Sequence, residues 1–141
     1  MSGKWIYIGR RDLMLVHSSG FLTNPVPCES ALRPLEEIAE CQLVGHERRG
    51  PLLVVELNWN KVEDESKARA TIWKAVEEYN DTVMAWSRVQ HQEALVILPR
   101  GSHLERSDKG TIKRGVNVKK FEQEIYLGYE NWDRAAPLAK A

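Results

Sequence analysis

Between Ser66 and Met84 the apolar residues Ala68, Ile72, Trp73, Val76, Tyr79 and Val83 return every three or four positions. That spacing puts them on one face of a helix. Glu63, Asp64 and Glu65 cluster where the helix begins, as a helix start favours. Such a stripe is stable only when covered, so the chain must also build something for it to lie against.

The rest of the sequence supplies a sheet. Cys41–Gly45 and Leu52–Leu57 are apolar runs joined by Glu47-Arg48-Arg49-Gly50-Pro51, which predicts a β-hairpin with a charged tip. Arg88–Leu98 is expected to be a third strand, ended by Pro99. Upstream, Lys4–Ile8 alternates as a short strand, and Leu13–Val16 and Phe21–Thr23 flank the turn residues Ser18-Ser19-Gly20, a second, smaller hairpin. Asn24-Pro25-Val26-Pro27 is held extended by its prolines. Pro27 suits the first position of a helix running to about Ala39, with Glu29 in its first turn and a break or kink at Pro34. Val118, Phe121, Ile125 and Tyr129 mark a final helix, and Ala135–Ala141 carries no pattern. The expected fold is a two-layer α+β domain: a short N-terminal hairpin, then a three-stranded sheet packed with two to three helices.

Composition narrows the function. The 141 residues make one domain, and 43% of them are hydrophobic, enough to bury a core. Twenty Lys and Arg balance twenty Asp and Glu, so no general attraction to nucleic acid or an acidic membrane is indicated. The apolar runs are too short for a membrane span, and Met1–Arg10 lacks the features of a secretory leader. Two cysteines, Cys28 and Cys41, make neither a disulfide scaffold nor a zinc site, which points to a reduced, cytoplasmic protein. His17, His46, His91 and His103 have no metal-ligand spacing. Cys28 is expected to be a small, partly buried residue and not a nucleophile. Trp73 is assigned to the core, and the tryptophans show no stacking-platform spacing.

Two segments rise above this background: Gly9–Asp12, and Arg106-Ser107-Asp108-Lys109-Gly110-Thr111-Ile112-Lys113-Arg114. In the second, four cations surround a glycine on a loop before a helix, an arrangement that can place a compact ammonium on phosphate or carboxylate oxygens. The plainer expectation is a solvated basic loop.

Taken together, these segments carry a resemblance. Trp5-Ile6-Tyr7-Ile8-Gly9-Arg10-Arg11-Asp12 resembles the aromatic-x-x-x-Gly-Arg-x-Asp signature that opens the C-terminal subdomain of acyl-adenylate-forming (AMP-binding) enzymes. That superfamily comprises acyl-CoA synthetases, luciferases and the adenylation domains of nonribosomal peptide synthetases. Ser18–Glu29 resembles the loop that follows, in the version of fungal synthetase-like carboxylic acid reductases, and Lys109–Arg114 resembles their Lys-Gly-Thr-Val-x-Arg segment. The resemblance spans about Lys4 to Tyr129. It implies a lid that swivels against an N-terminal adenylation core, absent here, which binds ATP and magnesium. In one orientation a loop lysine assists acyl-AMP formation. In the other, the thiol of a phosphopantetheine arm, on an acyl carrier protein or CoA, attacks the acyl-AMP.

Carried over residue by residue, the resemblance makes Asp12 the hinge, brings Arg10 to the nucleotide and sets Gly20 on the thiol tunnel. Most of the superfamily has Gly-Lys where this chain has Gly110-Thr111; here the lysine precedes the glycine, at Lys109, with Lys113 the alternative. The implied organisation is a hinge strand over 1–12, the lid over 13–131 and a tail or linker over 132–141. The chain is expected to be an excised piece or a free-standing lid, inactive alone. A competing reading from a different class is a small α+β module using the basic segment Arg100–Lys120 for RNA or another acidic partner. Overall neutrality and a lack of paired exposed aromatics count against it.

Overall fold

The computed structural model describes residues 13–137; the expected strand Lys4–Ile8 and the segment Gly9–Asp12 lie outside them. A two-stranded antiparallel sheet, β1 (Leu15–Val16) and β2 (Leu22–Thr23), comes first, then helix α1 (Val26–Leu32). β3 (Ile38–Val44) and β4 (Leu52–Leu57) form the expected antiparallel hairpin. Helix α2 (Glu65–Asn80) leads to β5 (Leu95–Ile97), which pairs with β4 in parallel, so the sheet order is β3-β4-β5. Helices α3 (Arg114–Lys120) and α4 (Glu122–Ala135) close the chain. The α+β class and the three-stranded sheet are as expected.

The differences have local causes. α1 stops at Leu32 because Pro34 cannot continue the ladder, and Ile38 and Ala39 open β3 instead of ending a helix. α2 begins where Asp64 accepts from the Ser66 amide at 2.9 Å, a side-chain N-cap. It ends at Asn80, short of Met84, where Asn80 turns to bond both the N–H and the C=O of Val89. The third strand shrinks to Leu95–Ile97, since a 3-10 turn occupies Gln92–Ala94. Trp73 is only partly buried against the core.

β4 is buried on both faces, so helices cover the sheet from both sides and the expected two layers become three. Leu52, Val54 and Val96 face α4: a Cβ on Gly128 would come within 2.7 Å of the Leu52 and Val96 side chains, so only glycine lets the helix lie this close. The opposite face bears Leu53, Val55 and Leu95, all buried, and α1 packs against β3 and α2 on the core. α4 runs to Ala135 and buries Trp132, which is 1% exposed. The packed domain therefore continues past the 131/132 boundary expected between lid and tail.

Candidate functional site

The basic segment is an ordered hairpin. Arg106 bridges Ile112, the Ser107 N–H donates to the Thr111 carbonyl at 2.7 Å, and the Gly110 N–H donates to the Ser107 carbonyl at 2.8 Å. Gly110 has φ +84, the left-handed residue that follows a tight turn in a three-residue hairpin loop. Lys109 is thereby fixed at the exposed tip, while Lys113, also exposed, stands at the base. The Lys113 N–H bonds the Glu105 carbonyl at 2.9 Å. Buried Leu104 and Ile112 anchor the two legs in the domain.

Beneath the hairpin lies a polar network that sequence reasoning missed. Glu29, 1% exposed, accepts from the Leu43 amide at 2.8 Å and from both ends of the Arg114 guanidinium, at 2.8 and 2.5 Å. Glu40, 3% exposed, accepts from Arg33 Nε at 2.6 Å and from the Cys41 amide at 2.9 Å, with Arg106 Nη1 at 3.6 Å. Asn117 bonds Gln42 at 3.0 Å and the Glu105 backbone at both N–H and C=O. Buried carboxylates are costly unless paired and hydrogen-bonded, and these are both. The available signal is Gln42 inside the apolar run Cys41–Gly45, with Glu40 just before it; for Glu29 the sequence offers only its place in a helix first turn.

Gly20 sits in a different place. It occupies the β1–β2 turn with φ +91, closed by His17 N–H to Phe21 C=O at 2.9 Å and Gly20 N–H to His17 C=O at 2.8 Å. No atom lies within 4 Å of where its Cβ would be, so the backbone there is open. This hairpin is fastened beyond the end of β3, through Ser18 N–H to Arg48 C=O at 2.8 Å and the His17 ring to the Gly45 carbonyl at 3.2 Å. The Lys109 hairpin is fastened at Glu40 and Gln42. β3 separates Glu40 from Val44 by roughly 13 Å at the rise of an extended chain. Lys109 and Lys113 thus share one loop, and Gly20 is held apart from both. Arg10 and Asp12 lie outside the described residues.

The basic segment offers less cationic surface than its composition suggests. Arg114 pairs with Glu29, Arg106 with Glu40 and Lys120 with Glu105, while Arg100 lies over the Trp59 ring at 5.2 Å. The Lys120 hydrogen bond holds the Glu105 carboxyl below the usual carboxylate range. One aromatic pair does reach the surface, contrary to expectation: Phe21 and Trp86 stack at 4.4 Å, with Phe21 51% exposed. It belongs to the Gly20 hairpin and not to the basic segment. Cys28 is fully buried, and burial, with the neighbouring Glu29 charge, pushes its thiol up to about 12, which excludes a thiolate nucleophile at neutral pH. Among the described residues no three His, Cys, Asp or Glu side chains come together as metal ligands.

His17 holds the Gly20 hairpin to the domain. A carbonyl can only accept, so Nδ1 carries the proton toward Gly45, and Nε2 accepts from Thr23 Oγ1 at 2.7 Å, which in turn meets Ser87 Oγ at 2.8 Å. Burial lowers the pKa of this ring, partly opposed by the Gly45 bond. The unfolded chain therefore binds a proton at a higher pH than the folded one, and stability falls as pH drops below the ordinary value of 6.5. Denaturant unfolding at pH 7.5 and 5.5 should show a smaller loss for His17→Gln than for the parent; equal losses would dismiss His17 as the source.

The family described as AMP-binding enzyme C-terminal domain matches residues 12–133. An adenylate-forming reductase of Serpula lacrymans is 28% identical over 144 residues, covering 98% of this chain and 13% of that protein. A carboxylic acid reductase of Neurospora crassa is 30% identical over 132 residues, covering 92% of this chain and 12% of that protein. The chain thus spans only 12–13% of the length of these relatives. Among solved structures, the A domain of the carboxylic acid reductase from Segniliparus rugosus, in complex with AMP and a co-purified carboxylic acid, shares the fold. Its TM-score is 0.68 at 16% identity, over 86% of this chain and 20% of that one. The A-PCP didomain of the same enzyme, in complex with AMP, gives 0.67 at 14% identity, over 86% and 18%.

Proposed function

This chain belongs to the family of AMP-binding enzyme C-terminal domains, and on that premise we propose that it is the lid of an ATP-dependent, carboxylic-acid-activating enzyme of the adenylate-forming reductase kind. The core that binds ATP and the acid is a separate part of that enzyme. In the first half-reaction the Lys109 turn faces the core, and its ammonium offsets charge on the phosphate oxygens as the carboxylate displaces pyrophosphate. Lys113, at the base of the same loop, is the alternative donor. An exposed ammonium on a fixed turn suits phosphate oxygens as a point charge. Magnesium bound with ATP neutralises further phosphate charge; no described residue is assigned to hold it.

In the second half-reaction the lid turns about Asp12 and presents the Gly20 hairpin. Phosphopantetheine supplies the thiol, borne by a carrier protein or CoA, and the open backbone at Gly20 leaves room for a slender arm to pass. Arg10, next to the hinge, reaches the nucleotide. The observation that supports this two-step reading most is the separate fastening of the two loops, one at Glu40 on β3 and the other at Gly45 and Arg48 beyond its end. A single orientation against a core favours one loop or the other.

The test joins the chain to an adenylating core that lacks its own lid and measures pyrophosphate release with acid and ATP. Acyl-AMP formation should rise well above that of the core alone. Formation no faster than the core alone would overturn the reading.

A further inference from the structure

We propose that Arg106 and Arg114 are positioning residues that set the Lys109 turn through Glu40 and Glu29. This rests on the reading of Lys109 given above. Each leg of the turn ends on an arginine. Arg106 begins it, bridged to Ile112, and Arg114 follows it as the first residue of α3. The carboxylates they meet are themselves immobilised. Glu29 is fixed by the Leu43 amide and Glu40 by the Cys41 amide and Arg33. The Arg114 leg is therefore clamped by charge-assisted hydrogen bonds to α1, which packs on β3, and the Arg106 leg is held to β3 by an ion pair at 3.6 Å.

The Arg114 clamp is a two-point fork of the kind only a guanidinium makes. Sinking two carboxylates beside a sheet edge costs desolvation that ordinary packing would avoid. The gain is a turn whose backbone is fixed up to the Cα of Lys109. Placement matters here because the lysine precedes Gly110 where the wider superfamily puts it after the glycine. Its stem leaves the turn in a different direction, and a small rotation of the turn is amplified along four methylenes. Arg106 is the cleaner probe, since its side chain is half exposed and leaves no cavity when removed.

In the chain joined to its core, Arg106→Ala should lower kcat for acyl-AMP formation by about 10- to 100-fold, the scale of a small misplacement of a reacting group. KM for ATP should be little changed, thiol transfer from supplied acyl-AMP should persist, and amide hydrogen exchange at Ser107 and Thr111 should quicken. Arg106→Lys should recover much of the rate, and Arg106→Ala added to Lys109→Ala should cost nothing more. If Arg106→Ala leaves kcat intact while Lys109→Ala cripples it, positioning is overturned and the lysine stands. If Lys109→Ala has no effect, the reading beneath the proposal falls, and positioning with it. Equal loss of both half-reactions would mark a merely structural residue and would also overturn it.

Discussion

Lys109→Ala, in the chain joined to an adenylating core, is expected to slow acyl-AMP formation by about 10²–10³-fold, the range for removing one preorganised charge-stabilising donor. Transfer of the acyl group from supplied acyl-AMP to a thiol should continue near the parent rate, because the proposed second orientation presents the other loop. The variant should also fold normally: Lys109 is exposed, sits at a turn tip and closes no part of the core. Its Tm is thus an internal control. Lys113→Ala is the companion measurement, since its backbone stays tied to Glu105 whatever the side chain. If Lys113→Ala carries the loss and Lys109→Ala does not, the donor is reassigned to the base of the loop. If neither slows adenylation, this loop is not the cationic partner of the phosphates, and the lid reading must rest on the family match alone.

The largest stability effect is expected at Trp132. Its ring stacks on Tyr129 with centroids 5.8 Å apart, lies under the Arg49 guanidinium at 4.3 Å and packs closely on Gly50, where a Cβ would approach it to 3.1 Å. Trp132→Ala should destabilise the domain by about 3–5 kcal/mol, as for other buried large aromatics, and lower Tm by roughly 10–20 °C. Arg49 also bonds Asp133 and the Ala136 carbonyl, each at 2.8 Å, so Arg49→Gln removes those two bonds together with the cation–π contact. It should cost about 1–2 kcal/mol, less than loss of the ring itself. A Trp132→Ala loss below that of Arg49→Gln would mean that the last turn of α4 is dispensable and that the domain ends near 131 after all.

The elements legible in the sequence were those specified by local pattern. The one-faced repeat from Ala68 to Val76, the charged hairpin tip between β3 and β4, and the Ser18-Ser19-Gly20 turn each formed as read. Where the pattern misled, a tertiary or steric demand decided. Pro34 ended α1 early, Asn80 abandoned its helix for Val89, and Trp132 drew the last helix beyond its apparent end. The two loops of the site could be placed from their residues, but their fastening could not. Glu29 and Glu40 look like ordinary surface charges in one dimension. Only the fold brings Arg114 and Arg106, 85 and 66 positions downstream respectively, onto them. Long-range charge pairs leave no periodic trace in a single sequence, whereas apolar stripes do.

The carboxylates beneath the lysine turn have a second consequence, for what this small body does when it meets others like itself. β3 is an edge strand, and an uncovered edge invites a neighbouring chain to add a strand. Here the amides of Cys41 and Leu43 are already taken by Glu40 and Glu29. A docking strand would find both donors occupied by buried carboxylates that arginines hold in place. The domain is thereby kept from zipping onto a second copy through this edge.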